Sequence, residues 1–304
     1  MSIIFNKNLS RSDEGESKTV YSGSYEDIPE NRVIRIPEGI EEIAEYAFRD
    51  FKCLEGIYLP KSLLKISASA FSGCAALKRV VMESGLVEIG DEAFSACSSL
   101  TGITMPDTVK RIGEGAFEGC ASLTRVRLSE SLYMIGSNAF AFCFNLYDVT
   151  IPDSCVLVEF CAFASCFSLE AVKLSDNMAL IDESTFEGCR SLKIVDMPTR
   201  LRRIGRRAFR GCTSLPSIIL PVGVESVGFD AFADCKALSR IAIPRGVKEL
   251  EDEDVFSGCD SLATVSYGGS AEGWDYLLHG KTLTVTHSDL SVSVPKMIFL
   301  DLKE

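Results

Sequence analysis

The stretch AFEGCASL, residues 116–123, recurs along the chain with small changes, for example as AFSGCAAL at 70–77 and AFRGCTSL at 208–215. Its phenylalanines follow one another at 23 residues from Phe48 to Phe232, and Phe256 follows after 24. A fixed period of this length is typical of solenoids, whose units stack because each is too short to bury a core of its own. The repeat therefore predicts one continuous stack of about ten coils.

The composition fits a folded, acidic protein. Of the 304 residues, 46% are hydrophobic and 24% are charged, which is ordinary for a globular chain. The formal net charge is −12, so the basic face that general nucleic-acid binding needs is not expected. The sequence has no run of about 18 apolar residues, which predicts that it does not insert into a membrane.

The start of the chain bears on localisation. It reads MSIIFNKNLSRSDEGESK, in which only Ile3, Ile4 and Phe5 are apolar in succession. Such a stretch is too short for the apolar part of a secretory signal. We therefore expect a cytoplasmic protein as the sequence is written, and a cell-surface or secreted one if a leader has been removed.

The segment LTRVRLSESLYMIGSNAFAFC, residues 123–143, shows the pattern of one coil. Val126 belongs to a column of β-branched residues, and the position two residues later is again apolar, which predicts a short strand. Proline follows the strand in most coils, as at Pro106, and ends strand pairing. The return segment has irregular apolar offsets and glycines such as Gly113, which indicates irregular or single-turn helical arcs.

These features predict an α/β repeat solenoid, right-handed, with a parallel β-sheet on one face and short arcs on the other. The solenoid is expected over residues 31–267, after an N-terminal lead-in and partial cap at 1–30. Residues 268–304 are expected to form a small C-terminal cap, because an open coil would expose apolar side chains and a strand edge. Trp274 falls in the isoleucine column of the repeat and is predicted to plug this end.

Nine of the twelve cysteines occupy one column of the repeat, three residues after the phenylalanine: Cys74, Cys97, Cys120, Cys143, Cys166, Cys189, Cys212, Cys235 and Cys259. Stacked coils would place neighbours about 5 Å apart with parallel side chains, which suits neither a disulfide nor a tetrahedral metal site. The column therefore predicts reduced, buried thiols. Outside it, Cys155 is expected to be buried and Cys161 to be the more exposed thiol.

The repeat pattern resembles the BspA-like leucine-rich-repeat family. One coil carries it on Leu100, Ile103, Met105, Pro106, Val109, Ile112, Gly113, Ala116, Phe117 and Cys120. The resemblance implies a leucine-rich-repeat solenoid and a bacterial protein with a binding role, since many members are associated with adhesion to host proteins or other cells. It implies no catalytic residues.

The residues themselves offer little for catalysis or for a cofactor. His279 and His287 are the only histidines and fall in the expected C-terminal cap, outside known metal or hydrolase motifs. The acidic group Glu249, Glu251, Asp252, Glu253 and Asp254 lacks the spacing of a calcium-binding loop. We expect a non-enzymatic interaction scaffold for protein or glycan partners, without a cofactor. The alternative is a hydrolase or redox enzyme that uses the C-terminal cap.

Three surfaces are candidate contact sites. The first is the outward face of the predicted sheet, where arginines on coils one, three and five could form a positive stripe for acidic peptides or for sulfated or sialylated glycans. Its residues are Arg35, Tyr58, Arg79, Arg125, Arg127, Asp148, Lys173, Asp196 and Arg240. A sheet face that is merely solvated is the alternative.

The second surface is basic and the third is aromatic. The basic residues are Arg190, Lys193, Arg200, Arg202, Arg203, Arg206, Arg207 and Arg210, for which polyanion binding or ion pairing with neighbouring coils is open. The aromatic residues are Phe142, Phe144 and Phe167, which stand where other coils have small or polar residues. If the rings point outward, they would form a contact site for a partner or a second copy of the chain; otherwise the coils repack to bury them.

Overall fold

A computed structural model describes residues 9–10, 19–22, 32–251, 255–270 and 296–299 of the chain. Each coil contributes two short strands, and each of them runs parallel to the equivalent strand of the neighbouring coils. The first strands are β3 (Val33–Arg35), β5 (Gly56–Tyr58), β7 (Arg79–Val81), β9 (Gly102–Thr104), β11 (Arg125–Arg127), β13 (Asp148–Thr150), β15 (Ala171–Lys173), β17 (Ile194–Asp196), β19 (Ser217–Ile219), β21 (Arg240–Ile243) and β23 (Thr264–Tyr267). Coils are numbered from the strand at Val33, so that coil five begins at Arg125.

Within each coil the second strand begins nine residues after the first residue of the first strand. The second strands are β2 (Val20–Tyr21), β4 (Glu42–Ile43), β6 (Lys65–Ile66), β8 (Glu88–Ile89), β10 (Arg111–Ile112), β12 (Met134–Ile135), β14 (Leu157–Val158), β16 (Leu180–Ile181), β18 (Arg203–Ile204), β20 (Ser226–Val227) and β22 (Glu249–Leu250). Two terminal strands complete the set: β1 (Leu9–Ser10) runs antiparallel to β2, and β24 (Lys296–Phe299) runs parallel to β23.

Strands of the same kind pair with their neighbours along the stack. The register follows the 23-residue repeat, except for an offset of 22 between β2 and β4 and of 24 between β21 and β23. The first strands form parallel sheets of three, five and four strands, the last of which includes β24. The second strands form sheets of eight and four, the larger of which includes β1. The fold is therefore a β-solenoid of about ten coils with parallel strands on two sides. The predicted first strand is confirmed, and the handedness stays a prediction.

The predicted helical arcs are wrong, because the described part of the chain contains no helix. In coils one to nine the third side has two residues in the left-handed conformation, one two residues before the phenylalanine and one two residues after it, as at Gly115 (φ 56°) and Gly119 (φ 68°). A left-handed residue at these points interrupts any run of right-handed helical backbone. Alternate N–H groups then bond to the next coil: Phe117 N–H donates to the carbonyl oxygen of Ala139 at 2.7 Å.

One core runs through the whole stack. The phenylalanines from Phe48 to Phe256 are fully buried or nearly so, and each ring stacks on the next at 5.0–5.9 Å between centroids. Tyr21 extends this ladder at its N-terminal end, 5.2 Å from Phe48. The Phe, Cys and Leu columns of the repeat are thus confirmed as inward columns of a shared core.

The nine column cysteines are buried and free, as predicted. The structure adds a reason for cysteine at this position that the sequence did not reveal. Each thiol donates a hydrogen bond to the phenylalanine carbonyl of the preceding coil, as Cys120 Sγ does to Phe94 O at 3.2 Å. The same carbonyl accepts the backbone N–H of Cys97, also at 3.2 Å. Cysteine is a small apolar side chain with one weak hydrogen-bond donor. It therefore fills the space in the column and also donates to the second lone pair of the carbonyl oxygen.

Coils three to five approach their preceding coils closely at a column of glycines, Gly90, Gly113 and Gly136. A Cβ atom at Gly113 would lie 2.6 Å from the backbone carbon of Gly90 and from the backbone nitrogen of Asp91. We expect Gly113→Ala to lower the free energy of unfolding by about 1–3 kcal/mol, because overpacked backbone must shift. Urea unfolding would measure this. The control is Ser67→Ala at the same position of coil two, where a Cβ is already accommodated, and an equal loss in both variants would contradict the prediction.

Candidate functional site

Three aromatic rings lie together at one corner of coils five and six, between the third side and the first strand. The rings of Phe144 and Phe167 stack with centroids 4.9 Å apart, and Phe142 meets Phe144 edge to face at 6.2 Å. The guanidinium carbon of Arg190, from coil seven, lies 4.5 Å from the centroid of Phe167. Phe142 is 43% exposed and Phe144 is 37% exposed, while Phe167 is half-buried. We call Phe142, Phe144 and Phe167 the aromatic corner.

Phe142 has an unusual backbone conformation. Its φ is +60°, in the left-handed region. Five other coils have glycine at this position: Gly73, Gly119, Gly188, Gly211 and Gly258. A left-handed conformation is a genuine outlier for a bulky side chain and is unfavourable by about 1–2 kcal/mol relative to glycine. The chain therefore carries a large, exposed ring at a position where the backbone conformation favours glycine.

A second apolar surface lies on the second strands of the same coils, and sequence reasoning missed it. Met134 of β12 pairs in register with Leu157 of β14, and their neighbours Tyr133 and Val156 precede them. Tyr133 is 58% exposed and Val156 is 40% exposed. These residues flank the isoleucine column at Ile135. The repeat pattern predicted an arc there rather than a strand, so their side chains were not recognised as one surface.

The side of the solenoid that the first strands form is called the first sheet below. The arginines predicted on its outward face do not form one continuous positive stripe. Arg35 and Arg79 both lie against the ring of Tyr58, with guanidinium carbons 3.7 and 5.7 Å from its centroid. Arg127 is instead neutralised by Asp107, to whose two carboxylate oxygens its Nη2 donates at 3.0 and 3.2 Å. The backbone N–H of Glu130, followed by this interaction with Arg127, holds the pKa of the Asp107 carboxyl below its ordinary value.

Further toward the C-terminal end of the stack, the first sheet carries both positively and negatively charged side chains. Arg125 is exposed on β11 beside Asp148 of β13, its partner in the strand register. These two strands share only that one residue pair. A cleft of about 460 Å³ lies at this seam, lined by Arg127, Asp148 and Lys173 among others. Asp196 and Arg240 are exposed on later strands of the same face.

Much of the predicted basic surface is paired with acidic residues of the following coil. Arg202 contacts Glu225 at 3.6 Å, and Arg207 and Arg210 both contact Asp230, at 3.6 and 3.1 Å. Within this group, Lys193 also pairs with Glu170 of the preceding coil. Arg203 is exposed on β18, and the guanidinium carbon of Arg206 lies 5.3 Å from the centroid of Phe229. Polyanion binding by this surface stays a prediction.

The remaining chemical candidates are placed as follows. Cys155 is buried, as predicted, and Cys161 is half-buried, with its pKa raised chiefly by burial. Trp274, His279 and His287 fall outside the described residues, as do three members of the acidic group at 252–254. In the part of the chain that the structure describes, no group of three or more His, Cys, Asp or Glu side chains could hold a metal ion. Nor do the described residues include a helix long and apolar enough to cross a membrane.

A family model described as the BspA type leucine rich repeat region matches this chain in six copies, over residues 18–146 and 133–263. The chain belongs to this family. The match covers the stacked coils that carry the phenylalanine ladder and the cysteine column. The resemblance noted from the repeat residues is thereby confirmed, and BspA-type solenoids provide a scaffold that often serves protein interaction.

Solved structures of bacterial leucine-rich repeat proteins are similar to this BspA-type chain. The leucine-rich repeat protein of T. pallidum is 26% identical, with 68% of this chain and 87% of that chain covered and a TM-score of 0.51. A leucine-rich repeat protein from Bacteroides ovatus ATCC 8483 is 27% identical, with 88% and 83% covered and a TM-score of 0.38. No curated protein matches the chain.

Proposed function

We propose that this protein is a non-enzymatic interaction scaffold that binds a protein partner through the aromatic corner. The observation that carries the proposal is Phe142, which holds a large, exposed side chain in a left-handed backbone conformation. Backbone strain of this kind persists when the surrounding structure enforces it, and it occurs preferentially at functional sites. Packing does not account for the residue, since most other coils have glycine, alanine or serine at this position.

The composition of the corner supports the proposal. Exposed aromatic and arginine side chains are the types that contribute most to binding at protein interfaces. Phe144, Phe167 and Arg190 form a continuous stack across three coils, so their positions are fixed before a partner arrives. A preformed surface binds with a smaller loss of side-chain entropy than a mobile one.

The proposal also concerns the kind of partner that the aromatic corner binds. Adhesion to host proteins or to other cells is the form that the family resemblance suggests, and self-association would use the same rings. A glycan that stacks on the exposed rings is the alternative ligand class. The enzyme alternative depends on His279 and His287, and no observation on the described residues favours it.

The proposal is tested by capture of partners on immobilised protein, with quantitative mass spectrometry. The triple variant Phe142→Ser, Phe144→Ser and Phe167→Ser should lose the proteins that the wild type enriches from a cell extract. The control is Ile194→Ser with Ile219→Ser, because these side chains are 64% and 75% exposed on the first sheet, away from the corner. Circular dichroism should show that both variants remain folded.

Two outcomes would contradict the proposal. One is the same set of captured proteins from the wild type, the control and the triple variant. The other is loss of capture in the control to the same extent as in the triple variant, which would indicate general stickiness of exposed apolar side chains. If immobilised glycans rather than proteins are lost only by the triple variant, the corner is a glycan site and the protein-partner proposal fails.

A further inference from the structure

A cluster of two arginines and one tyrosine lies on the outward face of the first sheet, at coils one to three. Arg35 and Tyr58 are neighbours in the strand register, and the guanidinium carbon of Arg35 lies 3.7 Å from the centroid of the tyrosine ring. Arg79 reaches the same ring from coil three, at 5.7 Å. Contact with an aromatic face holds a guanidinium group in place without neutralising its charge. Arg35, Tyr58 and Arg79 are called the Arg–Tyr–Arg cluster below.

The cluster is positive in a part of the sheet where other basic residues are paired. Glu55 accepts hydrogen bonds from Arg32 and from Lys78, which occupy the edge of the same face. Within the described residues, Arg35 and Arg79 have no ion pair with a carboxylate. Because the whole chain carries a net charge of −12, two guanidinium groups with free donors form an unusual local site for an anion.

We propose that the Arg–Tyr–Arg cluster binds an acidic peptide segment, with its carboxylates on the exposed side chains of Arg35 and Arg79. The guanidinium forks match the planar geometry of carboxylates and bind them in a bidentate manner. This site is separate from the aromatic corner, so either may exist without the other.

A sulfated glycan is the competing ligand class, and the geometry favours it less. Sugar rings bind aromatic side chains by stacking on their faces, but Arg35 already covers a face of Tyr58 at 3.7 Å.

The test is fluorescence anisotropy at low salt with the full-length protein and a short labelled peptide of alternating Glu and Ser. A peptide with Gln in place of Glu is the charge control. We expect Arg35→Gln and Arg79→Gln each to weaken binding of the acidic peptide about tenfold. Arg240→Gln is the matched control, because Arg240 is an exposed arginine at the strand position of Arg79 in coil ten.

Thermal unfolding separates binding from folding. Arg35→Gln and Arg79→Gln should keep the thermal midpoint of the wild type, because both side chains are exposed and have no ion pair within the described residues. The proposal is overturned if the acidic peptide binds no more tightly than the Gln peptide, or if Arg35→Gln and Arg79→Gln bind it as well as the wild type does. It is also overturned if a heparin oligosaccharide binds through Arg35 and Arg79 while the acidic peptide does not.

Discussion

Replacing Phe163 by alanine should lower the free energy of unfolding by about 3–5 kcal/mol. The ring is fully buried in coil six, with its centroid 5.3 Å from that of Phe140 and 5.6 Å from that of Phe186. Its removal exposes no polar group, so the loss combines the transfer free energy of the ring with the cavity left between two neighbours. Because each coil contacts only its neighbours, the cavity cannot be filled from elsewhere in the stack.

The matched control for Phe163→Ala is Phe144→Ala, which removes a ring of the same size from the surface one coil away. Urea unfolding of both variants should show a much smaller loss for Phe144→Ala, since that ring is 37% exposed. A loss below about 1 kcal/mol for Phe163→Ala would mean that the phenylalanine ladder is not the principal core of the solenoid.

Alkaline pH should unfold the protein through the cysteine column. Burial raises the pKa of all nine column thiols, to about 12 for Cys74 and Cys189 and well above 9.0 for Cys166. Unfolded thiols lose their protons near pH 9, whereas the buried ones keep them. The free energy of unfolding therefore has its full value below pH 9 and falls as the pH rises through the interval between the two pKa values.

The size of this effect follows from the number of thiols. Each contributes a slope of about 1.4 kcal/mol per pH unit within that interval, so nine give a slope on the order of 10 kcal/mol per pH unit. Since this is comparable with the total stability of a typical domain, we expect cooperative unfolding about one to two pH units above 9. Urea unfolding at a series of pH values under reducing conditions would measure the slope.

Variants of the column test the cause of the alkaline transition. Cys97→Ala, Cys143→Ala and Cys235→Ala together should lower stability at neutral pH, because each removes volume and a hydrogen bond to a phenylalanine carbonyl. The same variant should have a shallower dependence on alkaline pH, by about 1.4 kcal/mol per pH unit for each thiol removed. An unchanged slope would assign the transition to other groups.

The sequence predicted the parts of the fold that repeat as side-chain columns. The 23-residue period, the first strand and the burial of the Phe and Cys columns all follow from apolar residues at fixed spacing. The second strand was missed because it is only two residues long, as at Arg111–Ile112, which is too short to show alternation. The helical arcs were wrong because left-handed residues such as Glu92 and Arg207 are not glycine and gave no signal.

The candidate sites were predictable only in part, for a related reason. The aromatic corner could be found because Phe142, Phe144 and Phe167 deviate from their repeat columns. The neutralisation of Arg127 could not, because its partner Asp107 lies in the preceding coil at an offset of 20 residues, which differs from the period. Similarly, the convergence of Arg35 and Arg79 on Tyr58 depends on side-chain directions across strands and not on spacing in the sequence.

The measurement that most directly tests our account compares stability and partner capture in Phe142→Gly. Relief of the left-handed strain should offset the loss of the partly buried ring, so the free energy of unfolding should change by no more than about 1 kcal/mol. Capture of the partner should nevertheless be lost. Ala96→Gly, which changes the equivalent left-handed residue of coil three, should capture the partner as the wild type does. Full capture by Phe142→Gly would contradict the account.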